Sequence, residues 1–347
     1  MDNIKVIIWG YGAMGRGMAD MLMDKKGVDI VGVIDLDKTI VGKPFNHVIG
    51  RPGMPGVCIR SDAMKVLSEQ KADVVLLATD SFVKGAFDKI MTVVSYGMNV
   101  ISTAEEMAYP KAGYPEESKA MDEAAKANGV SVLGTGINPG FIMDLLVVAL
   151  SGVMKDVTKI EAGRVNSLSP FGPAVMHEQG VGLTPEQYVN RKADGTLAGH
   201  VGFRESVHMI ADALGIPIDR FESEMEPIIT DKDRKSLYGQ AKAGTLAGIR
   251  MTGRGISKGK TVIDMVHPQQ IEPQVAGIAT EDTIRLSGHP SVNMSISPEI
   301  DGGLGTIAMC VNMIPHVINA RPGLRTMIDL PVPRAIMGDM RDLLDRD

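Results

Sequence analysis

A glycine-rich segment near the N-terminus constrains the fold more than any other part of the chain. It reads VIIWGYGAMGRGMAD and places Gly10, Gly12 and Gly15 in GxGxxG spacing directly after an apolar, strand-like run. A second such run, DIVGVID, ends in Asp35, twenty residues after Gly15. Strand, glycine loop, helix and following acidic residue form the context that a dinucleotide-binding fingerprint requires. The segment therefore predicts a Rossmann domain.

Each glycine has a separate physical role in such a loop. Gly10 permits the tight turn, Gly12 lets the backbone approach the pyrophosphate, and Gly15 allows close packing of helix on strand. The helix N-terminus offers free N–H groups to the phosphates. The alternative, a glycine-rich turn that binds nothing, is disfavoured by the strand–helix context. The expected cofactor contacts are Gly10, Tyr11, Gly12, Ala13, Met14, Gly15, Asp35, Ala78, Thr79, Ser102, Asn138 and Asn312.

Charged residues after the second strand bear on the choice of cofactor. Asp35 can accept hydrogen bonds from the adenosine ribose, and together with Asp37 it repels a 2′-phosphate, which favours NAD. Lys38, Lys43 and Arg51 follow in a loop rich in glycine and proline. These cations offer a receptor for the 2′-phosphate of NADP, although a solvated loop is the simpler interpretation. We expect NAD, with NADP as the alternative.

The pattern of apolar runs predicts two domains of different kinds. Up to residue 140, short β-branched runs alternate with helical patterns, which is typical of βαβ units and a parallel sheet. Residues 141–303 contain strands with few helices between them, which favours an α+β domain with a mixed, largely antiparallel sheet. We expect residues 1–140 to bind the dinucleotide and residues 141–303 to bind substrate and form a dimer. Residues 304–347 are expected to pack back on the first domain.

Local signals predict where several helices begin and end. Asn138 resembles an N-cap, with Pro139 at the first helical position of GFIMDLLVVAL. Thr184, Pro185 and Gln187 form the pattern of a capping box. Gly215 is expected to end the helix GFRESVHMIADALG. The segment 305–323 is expected to form another helix, kinked near Pro315.

Composition excludes several classes of partner. The chain has 347 residues and a net charge of −6 without a long basic run, which argues against nucleic acid or an anionic membrane as partner. The start lacks a signal-peptide pattern, and the most apolar later stretch is short and contains Asp144, so a cytoplasmic protein is expected. The sequence contains no CxxC, HExxH or Cys/His cluster, so no metal site is predicted.

Two adjacent glutamates, Glu105 and Glu106, follow the strand NVIS, where ligands of a parallel sheet bind. Cys58 and Cys310 lie in structural patterns, so a thiol nucleophile is not indicated. A carboxylate suits an amine substrate, because it can accept a proton from the ammonium, stabilise an iminium and activate water. We expect one glutamate to face the ligand and the other to face away. The alternative is that both are solvated.

Several motifs together resemble one enzyme family. They are WGYGAMGRGMA, NVISTAEEM, GTGINPGFIMDLL, GRVNSLSPFGPAVMHEQGVGLTPEQY and VNMIPHVINARPGL, and they extend over nearly the whole chain. In these motifs the sequence resembles the 2,4-diaminopentanoate dehydrogenases and the related native amine dehydrogenases. The layout is also similar to dihydrodipicolinate reductase and diaminopimelate dehydrogenase. The paired histidines and lysine of the reductase are absent, which counts against reductase activity.

The resemblance implies NAD(P)-dependent oxidative deamination of 2,4-diaminopentanoate to 2-amino-4-oxopentanoate and ammonia, a step of ornithine degradation. It implies that Glu105 contacts the reacting amine, with Glu106 as the alternative. For the substrate carboxylate, Arg164, His177 and Arg204 are the candidates from residue type alone. The residues expected to bind substrate are Asn138, Arg164, Asn166, His177 and His267.

Two other functions remain as alternatives. One is an amine dehydrogenase or reductive aminase that acts on another small amine or ketone. The other is a dinucleotide-sensing protein without turnover.

The protein is expected to form a homodimer, because an open sheet in the second domain needs a partner for its exposed surface.

Overall fold

The computed structural model describes residues 2–52 and 56–345 of the chain. The chain divides into two compact units. Unit 1 comprises residues 1–141 together with 301–347, and unit 2 comprises residues 142–300. Unit 1 is thus formed from both ends of the chain. Within the described ranges, no helix is both long and apolar enough to cross a bilayer.

The first part of unit 1 alternates strands with helices, which confirms the βαβ pattern predicted from the sequence. Each connection carries the chain back to the start of the next parallel strand. The elements in chain order are β1 (Ile4–Trp9), α1 (Ala13–Met23), β2 (Val28–Ile34), α2 (Phe45–Val48), β3 (Ile59–Arg60), α3 (Ala63–Glu69), β4 (Val74–Leu77), α4 (Val83–Ser95), β5 (Asn99–Ser102), α5 (Pro115–Ala127) and β6 (Ser131–Gly134).

Strand β4 shows why these short runs form a parallel sheet. All four of its residues, VVLL, are buried. A strand covered on both faces is continuously apolar, because neither set of alternating side chains meets water. Helix α4 covers one face with Val83, Ala86, Ile90 and Val93, which recur at three- or four-residue spacing. Strand and helix share one hydrophobic core.

Unit 2 contains a six-stranded mixed sheet in the order β14-β13-β7-β12-β11-β8. Strands β7 and β12 are parallel, and the other neighbouring pairs of this sheet are antiparallel. This confirms the predicted mixed, largely antiparallel architecture. The elements are α6 (Leu145–Ser151), β7 (Asp156–Ser167), α7 (Pro173–Glu178), α8 (Pro185–Ala193), α9 (Phe203–Leu214), β8 (Arg220–Ile229), β9 (Arg234–Lys235), β10 (Gln240–Ala241), β11 (Leu246–Ser257), β12 (Lys260–Gln270), β13 (Glu281–His289) and β14 (Val292–Ile296).

One face of this sheet is covered by helices. Helix α6 packs on β13, and α9 packs on β11 and β8. Along β7, Ile160, Ala162, Arg164 and Asn166 are buried, whereas the residues between them are half-buried. Alternate residues of a strand face the same side. Arg164 and Asn166 therefore belong to one face of β7, together with its apolar core residues.

The C-terminal segment adds α10 (Gly302–Asn312), α11 (Ile314–Ile318) and β15 (Gly323–Arg325) to unit 1. Strand β15 pairs in parallel with β6, so the sheet has the order β15-β6-β5-β4-β1-β2-β3. Helix α10 packs on α1. The predicted kink is confirmed as a break between α10 and α11, with Pro315 in the first turn of the second helix.

The helix predicted to start at Asn138 is wrong. Residues 138–144 form turns, and α6 begins only at Leu145, with Asp144 as the N-cap. The Asp144 carboxylate accepts a hydrogen bond from the Leu145 N–H at 2.6 Å. Gly140 has φ +126°, and a Cβ there would lie 2.5 Å from the Gly136 nitrogen. The chain folds back on Gly136 at this point, so a regular helix cannot pass through Gly140.

The other predicted helix ends are confirmed. Thr184 and Gln187 form a capping box at the start of α8. Gly215 ends α9 in the left-handed conformation at φ +69°. Both signals act over a few residues of sequence, so they do not depend on how the rest of the chain folds.

Candidate active site

The dinucleotide loop, residues 10–15, leaves space at one of its three glycines. A Cβ on Gly10 would lie 2.4 Å from the Ala78 carbonyl oxygen, and a Cβ on Gly15 would lie 1.9 Å from the Gly10 carbonyl oxygen. A Cβ on Gly12 would meet no atom of the described residues within 4 Å. Gly10 and Gly15 are therefore required by the packing of the protein, whereas Gly12 leaves the backbone open to a ligand. This is the geometry that a pyrophosphate needs.

Asp35 is held in place by the backbone of this loop. Its carboxylate accepts one hydrogen bond from the Tyr11 N–H at 2.5 Å and another from the Asp37 N–H at 2.8 Å. Each oxygen retains a further lone pair that can accept a hydrogen bond. The half-buried Asp35 thus fits the role of acceptor for ribose hydroxyls. The loop and Asp35 together fit a nicotinamide dinucleotide.

The cations considered as receptors for a 2′-phosphate differ in their surroundings. Arg51 forms ion pairs with Asp20 at 3.1 Å and Asp24 at 2.6 Å, both on or beside α1. Its charge is therefore already neutralised. Lys43 and Arg16 instead lie near Asp37, and their positive charges help to hold the pKa of that carboxyl below its ordinary value, after the larger contribution of hydrogen bonds from Thr39.

Three further predicted cofactor residues lie where β4 and β5 end. The Ala78 N–H donates to the Trp9 carbonyl at 2.8 Å, which joins this loop to the dinucleotide loop. Thr79 is exposed, and its hydroxyl donates to Asp80 at 2.6 Å. Ser102 is buried, and its hydroxyl accepts from the Ala104 N–H at 3.2 Å. The structure thus brings these residues to the same edge of the sheet as the glycines.

Glu105 is a half-buried carboxylate in the first turn after β5. Burial raises its pKa above the ordinary value of 4.5, because desolvation penalises the charged form. A hydrogen bond from Ser81, in the loop after β4, opposes this shift, and the charge of Glu106 adds to it. A carboxylate with a raised pKa in a partly dry site is suited to take up and release a proton.

Glu106 has a different role in the same turn. Its Oε2 accepts from the Val83 N–H at 2.8 Å, and its Oε1 accepts from the Tyr114 hydroxyl at 3.2 Å. Val83 is the first residue of α4, so Glu106 caps that helix. An acidic side chain here also interacts favourably with the helix dipole. Both carboxylate oxygens of Glu106 are thus engaged by the protein itself.

Asn138 and Asn312 differ in whether their amide groups already have hydrogen-bond partners within the protein. Both amide atoms of Asn138, Nδ2 and Oδ1, are buried without a hydrogen-bond partner among the described residues. A buried polar atom without a partner costs about 1–3 kcal/mol. Asn312 instead uses its Oδ1 to accept from the Ile336 N–H at 3.3 Å. Asn138 therefore offers an amide to a ligand, whereas Asn312 ties the C-terminal segment to α10.

Arg164 of unit 2 is buried, with 2% of its surface exposed, and its charge is paired. Its guanidinium donates to Asp282 at 2.6 Å and to the Ile300 carbonyl at 2.5 Å. Burial raises the pKa of Asp282, and the charge of Arg164 opposes that shift. Removing either partner would leave a buried charge without compensation.

Beside this ion pair lie the buried His267 and the half-buried His200. The Nε2 of His267 is 3.1 Å from the Asn166 Oδ1, and its ring centroid is 4.8 Å from that of His200. Burial lowers the pKa of His200 to about 3 and that of His267 well below its ordinary value, and the Arg164 charge acts in the same direction. Both rings are therefore neutral near pH 7. We call Arg164, Asn166, His200, His267 and Asp282 the histidine cluster.

The histidine cluster has hydrogen-bonding capacity to spare. His267 Nδ1 and His200 Nε2 are buried and have no partner in the part of the chain that the structure describes. The prediction from sequence included His267 and Asn166 but not His200. Its segment AGHVGF carries no motif, and only the folded chain brings His200 beside His267 of β12, at 4.8 Å between ring centroids.

The other two carboxylate candidates lie outside this cluster. His177 is exposed at the end of α7. Arg204 is exposed on α9, where its guanidinium lies 5.3 Å from the centroid of the Phe221 ring. Of the three candidates, Arg164 alone is part of a buried polar cluster.

A Rossmann sheet with an open glycine loop, in a chain that also contains a mixed-sheet unit, is typical of dehydrogenases that use NAD or NADP. Residues 141–346 match the family model of the 2,4-diaminopentanoate dehydrogenase C-terminal domain. The full chain is 57% identical over 348 residues to a 2,4-diaminopentanoate dehydrogenase from Acetoanaerobium sticklandii, a match that covers 100% of this chain and 99% of that protein. The chain therefore belongs to the 2,4-diaminopentanoate dehydrogenase family.

Amine dehydrogenases are more distant relatives. One from Streptomyces virginiae is 25% identical over 354 residues, which covers 96% of this chain and 98% of that protein. The solved structure of an amine dehydrogenase from Mycobacterium smegmatis matches with a TM-score of 0.85 at 25% identity, over 96% of this chain and 97% of that one. These matches confirm the resemblance found in the motifs and the class of oxidoreductase.

The contrast between the two glutamates predicts opposite outcomes for their variants. We expect Glu105→Gln to lower kcat by about 10²–10⁴-fold, because the proton acceptor is lost, with near-normal binding of NADH. Its melting temperature should stay the same or rise, since a desolvated charge is removed. Steady-state kinetics, NADH titration and thermal unfolding measure these effects.

The matched variants are Glu106→Gln and Glu106→Ala. Glu106→Gln should keep kcat near wild type, because an amide oxygen can still accept from Val83. Glu106→Ala should lower the free energy of unfolding by about 1 kcal/mol, as loss of a helix cap does. A large fall in kcat for Glu106→Gln with normal activity in Glu105→Gln would reverse the assignment.

Proposed function

We propose that this chain oxidatively deaminates 2,4-diaminopentanoate at C4. Substrate, water and NAD(P)⁺ give 2-amino-4-oxopentanoate, ammonium, NAD(P)H and a proton. The full-length 57% identity to a 2,4-diaminopentanoate dehydrogenase supports the choice of substrate. The observation that carries the chemistry is Glu105, a half-buried carboxylate of raised pKa at the carboxyl edge of the parallel sheet.

In this mechanism Glu105 acts in each proton transfer. The ionised carboxylate first accepts a proton from the C4 ammonium, which leaves a neutral amine. A nicotinamide held by the dinucleotide loop and Asp35 would supply the acceptor for the hydride of C4. Once its first proton has passed to water, the ionised Glu105 stabilises the resulting iminium and takes a proton from the water that attacks it. Glu105 returns this proton to the amine of the carbinolamine, which leaves as ammonia while the hydroxyl proton is lost and the ketone forms. Ser81 lies close enough to Glu105 to lower the pKa of its carboxyl, and its hydroxyl is proposed to orient the carboxylate.

The histidine cluster is proposed to bind the amino-acid end of the substrate. Arg164, Asn166 and His267 were predicted to bind substrate, Arg164 as a candidate for its carboxylate, and we now add His200. The unpartnered His267 Nδ1 and His200 Nε2 supply the hydrogen-bonding groups. A neutral imidazole can donate to a carboxylate or accept from an ammonium, according to its tautomer. Asn138 is proposed to hold the nicotinamide carboxamide or the substrate amine through its unpartnered amide.

NAD is the proposed cofactor, with NADP as a second substrate. Asp35 and Asp37 disfavour a 2′-phosphate electrostatically. Lys43 and Arg16 lie close enough to Asp37 to influence its pKa, and they supply the positive charge for NADP. We further propose a cytoplasmic homodimer. A solution mass of one chain in analytical ultracentrifugation would contradict the dimer.

The proposed activity is tested with a panel of substrates. We expect NAD⁺ reduction at 340 nm with 2,4-diaminopentanoate, and a kcat/KM at least about tenfold higher than with simple amines or other amino acids. An amine dehydrogenase of different specificity, as the 25% identical relatives suggest, would instead aminate simple ketones in the presence of ammonia. Tight NADH binding without turnover of any amine would indicate a sensing protein.

The pH dependence tests the role of Glu105. Because Glu105 must be ionised to accept a proton and its pKa is raised, kcat/KM should fall on the acid side at a pH above 4.5. Ser81→Ala should move this limb to higher pH, since the lost hydrogen bond favours the ionised form. Ser95→Ala, on the exposed surface of α4, is the matched control. If the acid limb of kcat/KM in Ser81→Ala fell at the same pH as in the wild type, Glu105 would not be the group that titrates there.

The role of Asp35 is tested by comparing the two cofactors. Asp35→Ala should raise the KM for NAD⁺ by about tenfold, as loss of a charged hydrogen-bond acceptor does. The KM for NADP⁺ should rise less or fall, because a repulsive charge is removed. Equal changes for both cofactors would show that Asp35 does not contact the ribose.

A further inference from the structure

A cavity outside the candidate active site lies in the C-terminal part of unit 1. It has a volume of about 400 Å³. None of the residues proposed for cofactor or substrate binding lines it. We call it the C-terminal cavity, and its polar lining consists of His316, Asn319, Arg321, Arg325, Asp329 and Asp345.

The cavity is lined by two positive and two negative side chains that do not neutralise one another. No ion pair within 4.0 Å joins either arginine to either aspartate in the described residues. Arg325 is instead held by carbonyl groups, with Nε donating to Arg321 at 2.8 Å and Nη2 donating to Pro322 at 2.6 Å. Asp329 accepts from the N–H and hydroxyl of Thr326 at 2.8 and 2.7 Å. Hydrogen bonds to nearby residues thus hold the Arg325 and Asp329 side chains in positions where they do not pair with each other.

His316 adds an unsatisfied group to this lining. It is 7% exposed, and its Nε2 is buried with no hydrogen-bond partner among the residues that the structure describes. Burial lowers its pKa, and the charge of Arg334 acts in the same direction, so the ring is neutral near pH 7. The energetic cost of an unpaired buried nitrogen is about 1–3 kcal/mol, which a polar ligand would recover.

Asn319 determines where Asp345 lies. Its Nδ2 donates to the Leu343 carbonyl at 2.8 Å, and its Oδ1 accepts from the Asp345 N–H at 3.1 Å. Both amide groups are therefore used to hold the segment 343–345 against α11. One wall of the cavity is thus built by the segment 343–345, which the Asn319 side chain fixes through these two hydrogen bonds.

We propose that the C-terminal cavity binds a small zwitterionic α-amino acid. Its carboxylate would pair with Arg321 and Arg325, and its ammonium group with Asp329 and Asp345. A simple anion would be repelled by the aspartates and a simple amine by the arginines, whereas a zwitterion satisfies both signs of charge. His316 completes the site by donating to the carboxylate or accepting from the ammonium. The volume lies within the range of small-molecule sites.

Isothermal titration of the full-length protein with L-alanine tests the site. Propionate and ethylamine serve as probes that carry only one of the two charges. We expect saturable 1:1 binding of L-alanine, and binding of each single-charge probe that is at least about tenfold weaker. Equal affinity for propionate, or no saturable heat up to about 50 mM L-alanine, would overturn the proposal.

Variants distinguish this cavity from the active site. Arg321 is exposed, so Arg321→Gln should fold normally, and it should weaken L-alanine binding by at least about tenfold with kcat and KM for the diamine unchanged. Arg285→Gln, an exposed arginine of β13, is the matched control and should bind as wild type. Retained L-alanine binding in Arg321→Gln would assign the titration to another site. Because binding is measured directly, the result is independent of the proposed activity.

Discussion

Five backbone hydrogen bonds at the carboxyl edge of the parallel sheet determine where the candidate residues of unit 1 lie. In each, the first N–H after one strand donates to the last carbonyl of the neighbouring strand. The bonds join Gly10 to Ile34 (2.8 Å), Asp35 to Arg60 (3.1 Å), Ala78 to Trp9 (2.8 Å), Thr103 to Leu77 (3.0 Å) and Thr135 to Ser102 (3.0 Å). All five loops therefore leave the sheet at one level. The dinucleotide loop and the turn that carries Glu105 are aligned by backbone alone, whatever their side chains.

Given that alignment, the adjacent glutamates can have opposite energetic effects. Glu106 stabilises the fold, because it caps α4 and binds the Tyr114 hydroxyl. Glu105 is disfavoured as a charge, because burial raises its pKa. The bonds that fix Glu106 also fix the backbone of the turn from which the Glu105 side chain extends. The structure thus offsets the cost of one carboxylate with the favourable contacts of its neighbour.

The parts of the fold that the sequence predicted correctly are those set by local physics. The glycine loop, the capping box at Thr184 and the left-handed Gly215 depend on a few neighbouring residues. The helix from Asn138 failed because Gly140 is held in contact with Gly136, a constraint that acts through the folded chain. Strand β8 was not identified from the sequence, because RFESEMEPII lacks a continuous apolar run. Every second residue from position 220 to position 226 is charged and exposed. Strand β11 was missed because Gly248, Gly253 and Gly255 interrupt its pattern.

In the candidate site, too, some features follow from the local sequence and others depend on the folded chain. Residue type and position were enough to select Glu105 and Glu106, and the family resemblance favoured Glu105. The structure adds that the carboxylate of Glu106 is engaged by Val83 and Tyr114. His200 was beyond prediction, because nothing in its local sequence indicates that it lies beside His267. Likewise, the burial of Arg164 follows from the alternation along β7, yet its pairing with Asp282 depends on a strand more than a hundred residues away.

The histidine cluster shows how unit 2 can bind a polar group without a net charge of its own. Arg164 and Asp282 neutralise each other, and burial keeps His200 and His267 uncharged. A fixed positive charge would favour a carboxylate but repel an ammonium group on the same molecule. Neutral imidazoles avoid that conflict: with Nε2 of His267 donating to the Asn166 Oδ1, its unpartnered Nδ1 accepts, whereas the unpartnered Nε2 of His200 donates or accepts according to its tautomer. A neutral cluster is therefore better matched to an amino-acid end group, which carries both charges, than a buried cation would be.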